Sequence, residues 1–316
     1  MILLLTHSGD FYTIDGVEAG LRQLGADYFR IDSDRFPLDY TLTACFPGGY
    51  FLESAGHELA LDQVQAVWNR RLYPGFVPPE LPPETARFCA ESCRTAFLDT
   101  LALLTRAYWM NPVRQQNTAE SKLLQLSLAS EVGLRVPPTL VTNRPDEVRT
   151  FMAHHPNLIT KLLVQPVQSM EAHPAFAYTT RVREEHLGML DQLRLMPQIF
   201  QPELVKRSEL RVIVVGRKVF VGALSGIDPD MVDWRQATAD DGLTWTPGLL
   251  DPALEARVFA LMDRLELRFG ALDFLDDGSG EPWFLEINPA GEWGWLQRDL
   301  GFPIAETIAR CLVERA

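Results

Sequence analysis

Apolar runs and amphipathic segments alternate over the first 32 residues. The run "MILLLT" predicts a buried strand, and "ADYFRID" predicts a second one. Between them, apolar residues recur at helical spacing and a glycine ends the pattern: Ile14, Val17, Leu21, Leu24 and Gly25. A strand, a helix and a strand over about 30 residues form a βαβ unit, so we expect a parallel sheet here.

The next stretch predicts the rest of an N-terminal domain. "TACFPGGYFLESAGHEL" is typical of a strand and hairpin, and "AVWNRR" of a further strand. A Pro-rich loop follows, and residues 84–107 have the pattern of a helix. We therefore predict a first domain over residues 1–110.

A second unit is predicted over residues 111–195. Asn117, with Glu120 three residues later, resembles a capping box that opens a helix ending at Gly133. "VPPTLVTN" then predicts a strand, "PDEVRTFMAHH" a helix, and "NLITKLLVQ" a strand carrying Lys161.

The last unit, residues 196–316, reads mainly as antiparallel strands. "ELRVIVVGRKVFVGALSG" predicts two strands joined by a turn, and residues 252–268 a long helix. "ALDFL" and "WFLEIN", joined by "DDGSGEP", predict a hairpin. The pattern as a whole indicates an α/β (α+β) protein.

Composition narrows the functional classes. The 316 residues carry 29 basic and 42 acidic side chains, a net charge of −13, which argues against a general nucleic-acid binder. No apolar run approaches the ~18 residues of a membrane span. The four cysteines form no CxxC pair, and HExxH, Walker A, GxGxxG and GxSxG patterns are absent. We expect a cytoplasmic protein outside those motif classes, with no nucleic-acid or membrane partner.

The hairpin carries candidate metal ligands. Glu286 and Asn288 leave their strand on the same face, and Asp273 lies on the facing strand. If the pairing brings Asp273 to that face, two carboxylates and an amide converge, a donor set that suits Mg²⁺. The alternative is a solvated polar face of an edge hairpin.

Two lysines are candidate phosphate contacts. Lys161 interrupts the apolar run "LITKLLV", where a buried ammonium is costly unless an anion pairs with it. Lys122 lies in the first turn of its predicted helix. The alternatives are an exposed edge-strand lysine for Lys161 and a solvated helix lysine for Lys122.

In this order, Lys122, Lys161, "QIFQPEL", "ELRV", "GALDF" and "EIN" resemble the ATP-grasp superfamily. Within it, "LLTHSGD", "FRIDSDRFP", "VWNRR", "WMNP", "VPPTLVTN" and "INPAGEW" are similar to the maturases of microviridin-type graspetides. The resemblance spans Met1 to about Leu300. It implies an ATP-grasp fold with an N-terminal Rossmann-like pre-ATP-grasp domain, a central domain and a C-terminal ATP-grasp domain.

The resemblance also implies residue roles. It assigns the phosphates to Lys122 and Lys161, and the ribose hydroxyls to Glu209. It assigns the adenine to Gln201, Pro202, Leu204 and Leu285. It assigns Mg²⁺ to Asp273, Glu286 and Asn288, and the γ-phosphate and acceptor carboxylate to Arg211. One departure is the loop after Lys161, "VQPVQSMEAHPAFAYTT", which lacks the glycines that many ATP-grasp enzymes have there.

The function implied by the resemblance is ATP-dependent peptide macrocyclisation. ATP, with Mg²⁺, phosphorylates Asp or Glu side chains of a ribosomal precursor peptide, and Thr or Ser hydroxyls, or Lys amines, then close ester or amide rings. Arg181 and Arg183 are expected to leave one strand on the same face, and we expect a leader segment to dock near them; the alternative is a solvated charged surface. We also expect the chain to form a homodimer. The alternatives are another ATP-grasp ligase, such as an amino-acid-adding RimK-like protein-modifying ligase, and a nucleotide-binding regulator without catalysis.

Overall fold

The computed structural model describes residues 1–73, 75, 77–78, 80–163, 179–228, 231–233 and 242–316. Its helices are α1 (Tyr12–Gln23), α2 (Pro83–Ala102), α3 (Val113–Ala119), α4 (Lys122–Glu131), α5 (Pro145–His154), α6 (Glu184–Leu187), α7 (Pro252–Arg264), α8 (Gly294–Leu300) and α9 (Ile304–Val313). Its strands are β1 (Ile2–Thr6), β2 (Tyr28–Asp32), β3 (Thr41–Ala44), β4 (Tyr50–Ser54), β5 (His57–Ala60), β6 (Ala66–Asn69), β7 (Tyr108–Met110), β8 (Leu140–Thr142), β9 (Leu158–Lys161), β10 (Thr180–Arg181), β11 (Gln198–Pro202), β12 (Ser208–Val215), β13 (Lys218–Ser225), β14 (Thr244–Pro247), β15 (Phe269–Asp276) and β16 (Trp283–Asn288).

The first sheet is parallel, as the βαβ pattern predicts. Its strand order is β2-β1-β6-β7, and β1 pairs in parallel with both β2 and β6. Strands β3, β4 and β5 form a small antiparallel sheet beside it, and Leu52 and Leu59 contribute to the core under this sheet. Helix α2 ends at Ala102, five residues before the predicted end at 107.

The central sheet has the order β10-β9-β11-β8. It is covered by α5, whose Val148 packs with Leu158 and Phe200 in a separate small core. Strand β11 belongs to this sheet, so the sheet extends beyond the domain boundary predicted at residue 195. Part of the loop after Lys161, residues 164–178, lies outside the described residues.

The helix start predicted at Asn117 is wrong. Asn117 lies inside α3, and the chain turns before α4, where the Ser121 Oγ accepts a hydrogen bond from the Leu124 N–H at 3.4 Å. The side chain of Gln125, on α4, holds this turn in place. Its side-chain amide donates to the Ala119 carbonyl and binds both backbone groups of Ile287 on β16.

The C-terminal sheet is antiparallel with the order β14-β13-β12-β15-β16, and the predicted hairpin is β15–β16. Helix α7 is shorter than the predicted 252–268, because the chain turns at Glu266, which has a φ of 54°. Helices α4 and α7 cover one face, where Leu128 and Leu261 pack against Val214 and Phe274. Thus α4 packs on the C-terminal sheet, whereas α5 packs on the central one.

The opposite face of the C-terminal sheet shares a core with the first sheet. Ile213 packs in that core with Leu4 and Val17 from the N-terminal part and with Ile308 from α9. At the other end of the same face, the side chains of β12 and β15 become polar. The described part of the chain has no helix that is both long and apolar enough to cross a bilayer.

Candidate active site

A cavity of about 500 Å³ lies between the central sheet and the polar end of the C-terminal sheet. Most of the residues singled out from the sequence line it: Lys161, Gln201, Pro202, Leu204, Glu209, Arg211, Asp273, Leu285, Glu286 and Asn288. They come from β9, β11, β12, β15 and β16 and from the loop after β11. The fold therefore collects on one surface residues that are separated by up to 127 positions in the sequence.

A row of charged side chains crosses the floor of the cavity. Arg211 on β12 lies opposite Asp273 on β15, and Asp273 lies opposite Glu286 on β16. The Arg211 Nη1 donates to both carboxylate oxygens of Asp273, at 2.8 and 2.9 Å. The sequence-based hypothesis that Asp273 shares the face of Glu286 and Asn288 is therefore confirmed.

A β-bulge gives the floor its apolar member. Asp273 pairs with Glu286, but the next residue, Phe274, pairs with Phe284, so Leu285 is skipped. Simple alternation would turn Leu285 away from Glu286. The bulge re-aims it, so that Leu285 lines the same cavity while Phe284 stays in the core.

Lys122 reaches the same row from outside the sheet. It is the first residue of α4, and its ammonium forms an ion pair with the Glu286 carboxylate. The bonds from Gln125 to Ile287 dock α4 on the edge of β16 and so place Lys122 beside Glu286. Each acidic residue of the row is thus neutralised by its own cation.

Lys161 faces the cavity from the other sheet. Within the described residues it has no carboxylate within ion-pair distance. Burial lowers the pKa of its ammonium, Glu286 opposes this, and the cations of Lys122 and Lys206 lower it further. A desolvated cation that faces other cations is suited to bind a polyanion.

The far end of the cavity holds a third ion pair, between Lys206 and Glu209. Glu209 is 8% exposed, and burial raises the pKa of its carboxyl although Lys206 opposes the shift. The Lys206 Nζ donates to Glu209 at 2.6 Å and to the Val232 carbonyl at 2.5 Å. Sequence reasoning missed Lys206, because three-residue spacing between a lysine and a glutamate is common on any surface.

Strand β11 forms the rim at that end. Gln201 is buried, and its side chain donates to the Thr139 hydroxyl at 2.9 Å. Pro202 is the last residue of the strand, and the Glu203 N–H beyond it donates to the Asn157 carbonyl at 2.8 Å. Leu204 follows in the connection to the C-terminal sheet.

The donor set at the near end fits a hard divalent cation. Asp273 and Glu286 offer carboxylate oxygens, and Asn288 offers an amide oxygen that accepts from the Ala290 N–H at 3.0 Å. Across the described residues no group of three or more His, Cys, Asp and Glu side chains could hold a metal ion. All-oxygen donors with only two acids favour Mg²⁺, whose shell is completed by water and phosphate oxygens, over Zn²⁺.

A buried arginine that the sequence analysis left unassigned supports the loop after Asn288. Arg70, 1% exposed, donates to the Ala290 carbonyl at 2.5 Å and to the Glu292 carboxylate at 2.6 Å. Arg71 binds the same carboxylate at 2.7 Å, and Arg211 donates to the Glu292 carbonyl at 3.0 Å. The motifs "VWNRR" and "INPAGEW" therefore meet, although neither motif alone reveals a partner.

The candidate peptide contacts Arg181 and Arg183 do not share a strand face. Strand β10 ends at Arg181, and Arg183 precedes α6 with an exposed side chain. Arg181 binds Glu203, a cavity residue, at 2.7 Å. The premise that both arginines point together from one strand is wrong, because the strand is only two residues long.

Comparison with known proteins places these features in a family context. Residues 1–117 match the family described as MvdD pre-ATP grasp domain. Macrocyclase MdnB of Microcystis aeruginosa MRC is 41% identical, with a TM-score of 0.83 over 99% of this chain and 98% of that one. Macrocyclase MdnC of the same organism, crystallised with precursor peptide MdnA, is 30% identical, with a TM-score of 0.90 over 100% of both chains.

Two further relatives extend the comparison. A RiPP-associated ATP-grasp ligase of Chryseobacterium gregarium, solved with ADP and a leader and core peptide, is 28% identical, with a TM-score of 0.92 over 100% of this chain and 97% of that one. Glutathione synthetase of Neisseria meningitidis serogroup B is 33% identical over 183 residues. This match covers 55% of the present chain and 54% of the synthetase.

Proposed function

The chain belongs to the family of ATP-grasp peptide macrocyclases, and on that premise we propose that it closes side-chain rings in a ribosomally made precursor peptide. ATP phosphorylates an Asp or Glu side chain of the peptide, and a Thr or Ser hydroxyl, or a Lys amine, then displaces phosphate. The observation that carries this proposal is the cavity that unites Lys161, Arg211 and the Asp273–Glu286–Asn288 donor set.

The residues divide the work between the two ends of the cavity. Glu209 accepts hydrogen bonds from the ribose hydroxyls, and the backbone of Gln201, Pro202 and Leu204 meets the adenine edge, with Leu285 against the ring. Pro202 can only accept there, because it has no N–H. This arrangement holds the nucleotide so that its phosphates extend toward the charged row on the sheet.

At the phosphate end, Lys122 and Lys161 contact phosphate oxygens through charge-assisted hydrogen bonds. Asp273, Glu286 and Asn288 would hold Mg²⁺, which neutralises charge that accumulates on the phosphates during transfer. Arg211 orients the γ-phosphate and the acceptor carboxylate, for which its planar guanidinium is well shaped.

The chemistry has two balanced steps. A carboxylate oxygen of the peptide attacks the γ-phosphorus, the bond to the bridging oxygen breaks, and ADP leaves with the electron pair. The nucleophile oxygen or nitrogen then bonds to the acyl carbon, the bond from that carbon to the phosphate oxygen breaks, and the departing phosphate takes up the proton that the nucleophile loses. Holding both reacting groups of one peptide in one cavity supplies much of the acceleration.

The peptide partner is proposed to bind at two places, with a core segment at the cavity and a leader segment elsewhere. Our candidate leader site includes Arg181 and Arg183, at the edge of the central sheet. Arg181 is held by Glu203 next to the nucleotide rim, which supports a link between leader docking and the cavity. We also propose a homodimer in the cytoplasm, to be checked by light scattering and fractionation.

Mass spectrometry tests the proposed function. The enzyme is incubated with ATP, Mg²⁺ and the peptide MdnA, and losses of water from the peptide are counted together with the ADP produced. Equal numbers of water losses and ADP molecules are expected. A gain of an amino-acid mass instead would favour the alternative, an amino-acid-adding ligase. If neither product forms, both functions are contradicted.

The leader hypothesis has its own experiment. Leaderless core peptide, core with separate leader, and the fused precursor are compared under the same conditions. Fusion raises the effective concentration of the core, so the fused precursor should react fastest. Equal rates for leaderless and fused peptide would contradict two-place binding. If the Arg181→Glu/Arg183→Glu variant binds the leader with unchanged affinity, these arginines are not part of the leader site.

A further inference from the structure

A second cavity of about 400 Å³ adjoins the nucleotide cavity on the side of the first sheet. We call it the β6 cavity, and its polar lining includes Asn69, Arg71, Tyr73, Gln116, Glu120 and Asn288. Arg71 and Asn288 line both cavities. The β6 cavity therefore opens beside the donor set at which the phosphates are expected, and none of the adenine-rim residues Gln201, Pro202 and Leu204 lines it.

The topology of the first sheet favours a ligand at this point. Helix α1 leads from β1 to β2 on one side, whereas β6 pairs with β1 on the other side. Strand order thus reverses between β1 and β6, and ligands of open parallel sheets bind outside the carboxyl ends of strands at such a point. Asn69 is the last residue of β6.

Asn69 carries an unused hydrogen-bond acceptor. Its side chain is 3% exposed, and its Nδ2 donates to the Gln116 Oε1 at 3.2 Å. Its Oδ1 is buried and has no hydrogen-bond partner among the described residues. Because a buried polar atom without a partner costs free energy, this oxygen is suited to a ligand that supplies a donor.

Among the reacting groups of the proposed reaction, only the nucleophile can donate a hydrogen bond to the Asn69 Oδ1. The phosphates of ATP and the ionised Asp or Glu of the peptide are acceptors, whereas the nucleophile, a Thr or Ser hydroxyl or a Lys amine, donates. We propose that the β6 cavity binds the hydroxyl-bearing nucleophile segment of the peptide, with the hydroxyl donating to the Asn69 Oδ1. This inference rests on the proposed function, and it makes Asn69 a residue that touches substrate in the second step.

The arrangement separates the two reacting groups of the peptide. The acid lies over the charged row of the nucleotide cavity, and the hydroxyl enters from the β6 cavity, with Asn288 at the border between them. Loss of the Asn69 acceptor should therefore spare phosphorylation and slow ring closure. That split is a signature that a general loss of folding would not produce.

The test uses Asn69→Leu, which has a similar shape without the acceptor, and Asn69→Asp, which keeps an acceptor oxygen. Asn143→Leu, at an exposed amide near the end of β8, is the matched control. With MdnA and ATP, hydroxylamine traps the acyl phosphate as a hydroxamate, and mass spectrometry follows ring closure. We expect Asn69→Leu to keep hydroxamate formation, to lose about tenfold in ring closure, and to be rescued by Asp. Unchanged ring closure in Asn69→Leu would overturn the inference and leave the proposed function standing.

A binding measurement tests the inference without turnover of MdnA. Absence of turnover would count against the proposed function and not against the binding of the hydroxyl at Asn69. Calorimetry compares MdnA with a form in which every Ser and Thr is replaced by Ala or Val. The peptide without hydroxyls should bind the unsubstituted protein about threefold to tenfold more weakly than MdnA does. The Asn69→Leu variant should bind both peptides with the same affinity. An equal loss in both proteins means that water, not the peptide hydroxyl, satisfies Asn69, and it overturns the inference.

Discussion

Asp273 and Glu286 lie directly opposite each other on β15 and β16, yet each carboxylate is paired with a different cation. Arg211 binds Asp273 from the neighbouring strand, and Lys122 binds Glu286 from α4. Two like charges at a cross-strand pair repel each other, so the cations make the pair compatible with the fold. A divalent ion at this place would take over that role and would release both cations toward the phosphates.

Replacement of a donor should abolish ring formation without loss of folding. In Glu286→Ala we expect no dehydrated precursor peptide and a weaker affinity for Mg²⁺ in the presence of ADP, because a carboxylate ligand is lost. Lys122 and Glu286 have side chains 30% and 36% exposed, so the free energy of unfolding should change by less than about 1 kcal/mol. Asp273→Ala and Asn288→Ala should behave alike. Full turnover in Glu286→Ala would contradict the metal assignment.

Lys161→Met should weaken ATP binding. A charge-assisted hydrogen bond from a partly buried ammonium to phosphate contributes about 1.5–3 kcal/mol, which corresponds to about ten- to 150-fold in affinity. Lys218→Met, at the exposed start of β13, is the control and should bind ATP normally. Calorimetry with a non-hydrolysable ATP analogue measures both variants, and equal affinities would place Lys161 outside the phosphate site.

The same substitution should stabilise the protein without ligand. The pKa of Lys161 is lowered in the folded state from 10.5, so the unfolded state binds the proton more tightly. Stability contributed by this group therefore rises with pH between the lowered pKa and 10.5, and below that window the charged lysine destabilises the fold. At neutral pH we expect Lys161→Met to have a higher melting temperature than the unsubstituted protein. The difference in melting temperature should decrease as pH rises through the window. A lower melting temperature at neutral pH would contradict this sign.

Arg70 and Arg71 offer a comparison of a buried and a partly exposed cation on one carboxylate. Their side chains are 1% and 31% exposed, and Glu292 is 48% exposed. Arg70→Ala also leaves the buried Asp10 without its cation and the Ala290 carbonyl without its donor, so we expect a loss of about 3 kcal/mol in unfolding free energy. Arg71→Ala should cost less than about 1 kcal/mol. Equal losses in chemical denaturation would show that burial does not decide the difference.

Helices α1 and α9 approach each other through small residues. A Cβ added at Gly20 would lie 2.9 Å from the Ala309 Cβ, and one at Gly16 would lie 3.1 Å from the Ala305 Cβ. Gly20→Ala should therefore destabilise the protein by about 1–3 kcal/mol, although alanine favours helix. The double variant Gly20→Ala/Ala309→Gly restores the space and should recover most of the loss. No recovery in thermal unfolding would mean that other contacts set the spacing.

Periodicity was sufficient to locate the strands that carry the candidate site. Alternation predicted that Glu286 and Asn288 share a face, and β15 brings Asp273 to it. The position of Leu285 could not follow from alternation, because a bulge is a property of the pairing between two strands. The resemblance, and not the pattern, pointed to Leu285.

Contacts between distant parts of the chain set the limits of the sequence reasoning. The capping pattern predicts a helix start at Asn117, but the structure begins α4 at Lys122. Gln125 holds α4 in this position through Ile287, which is 162 residues away in the sequence. The same holds for Arg70, which binds Glu292 across 222 residues. Sequence shows that such side chains are polar, but only the fold shows that they are buried together.

The packing of α9 on α1 also has a consequence for biosynthesis. The ribosome finishes α1 at Gln23, but the helix that covers it begins only at Ile304. At about 5–20 residues per second, roughly 15 to 55 seconds separate the two events. During that time the nascent first sheet exposes an apolar surface that its own chain cannot yet cover. Translation that stops before Ile304 therefore releases a polypeptide with an open core, which is a substrate for chaperones and proteases.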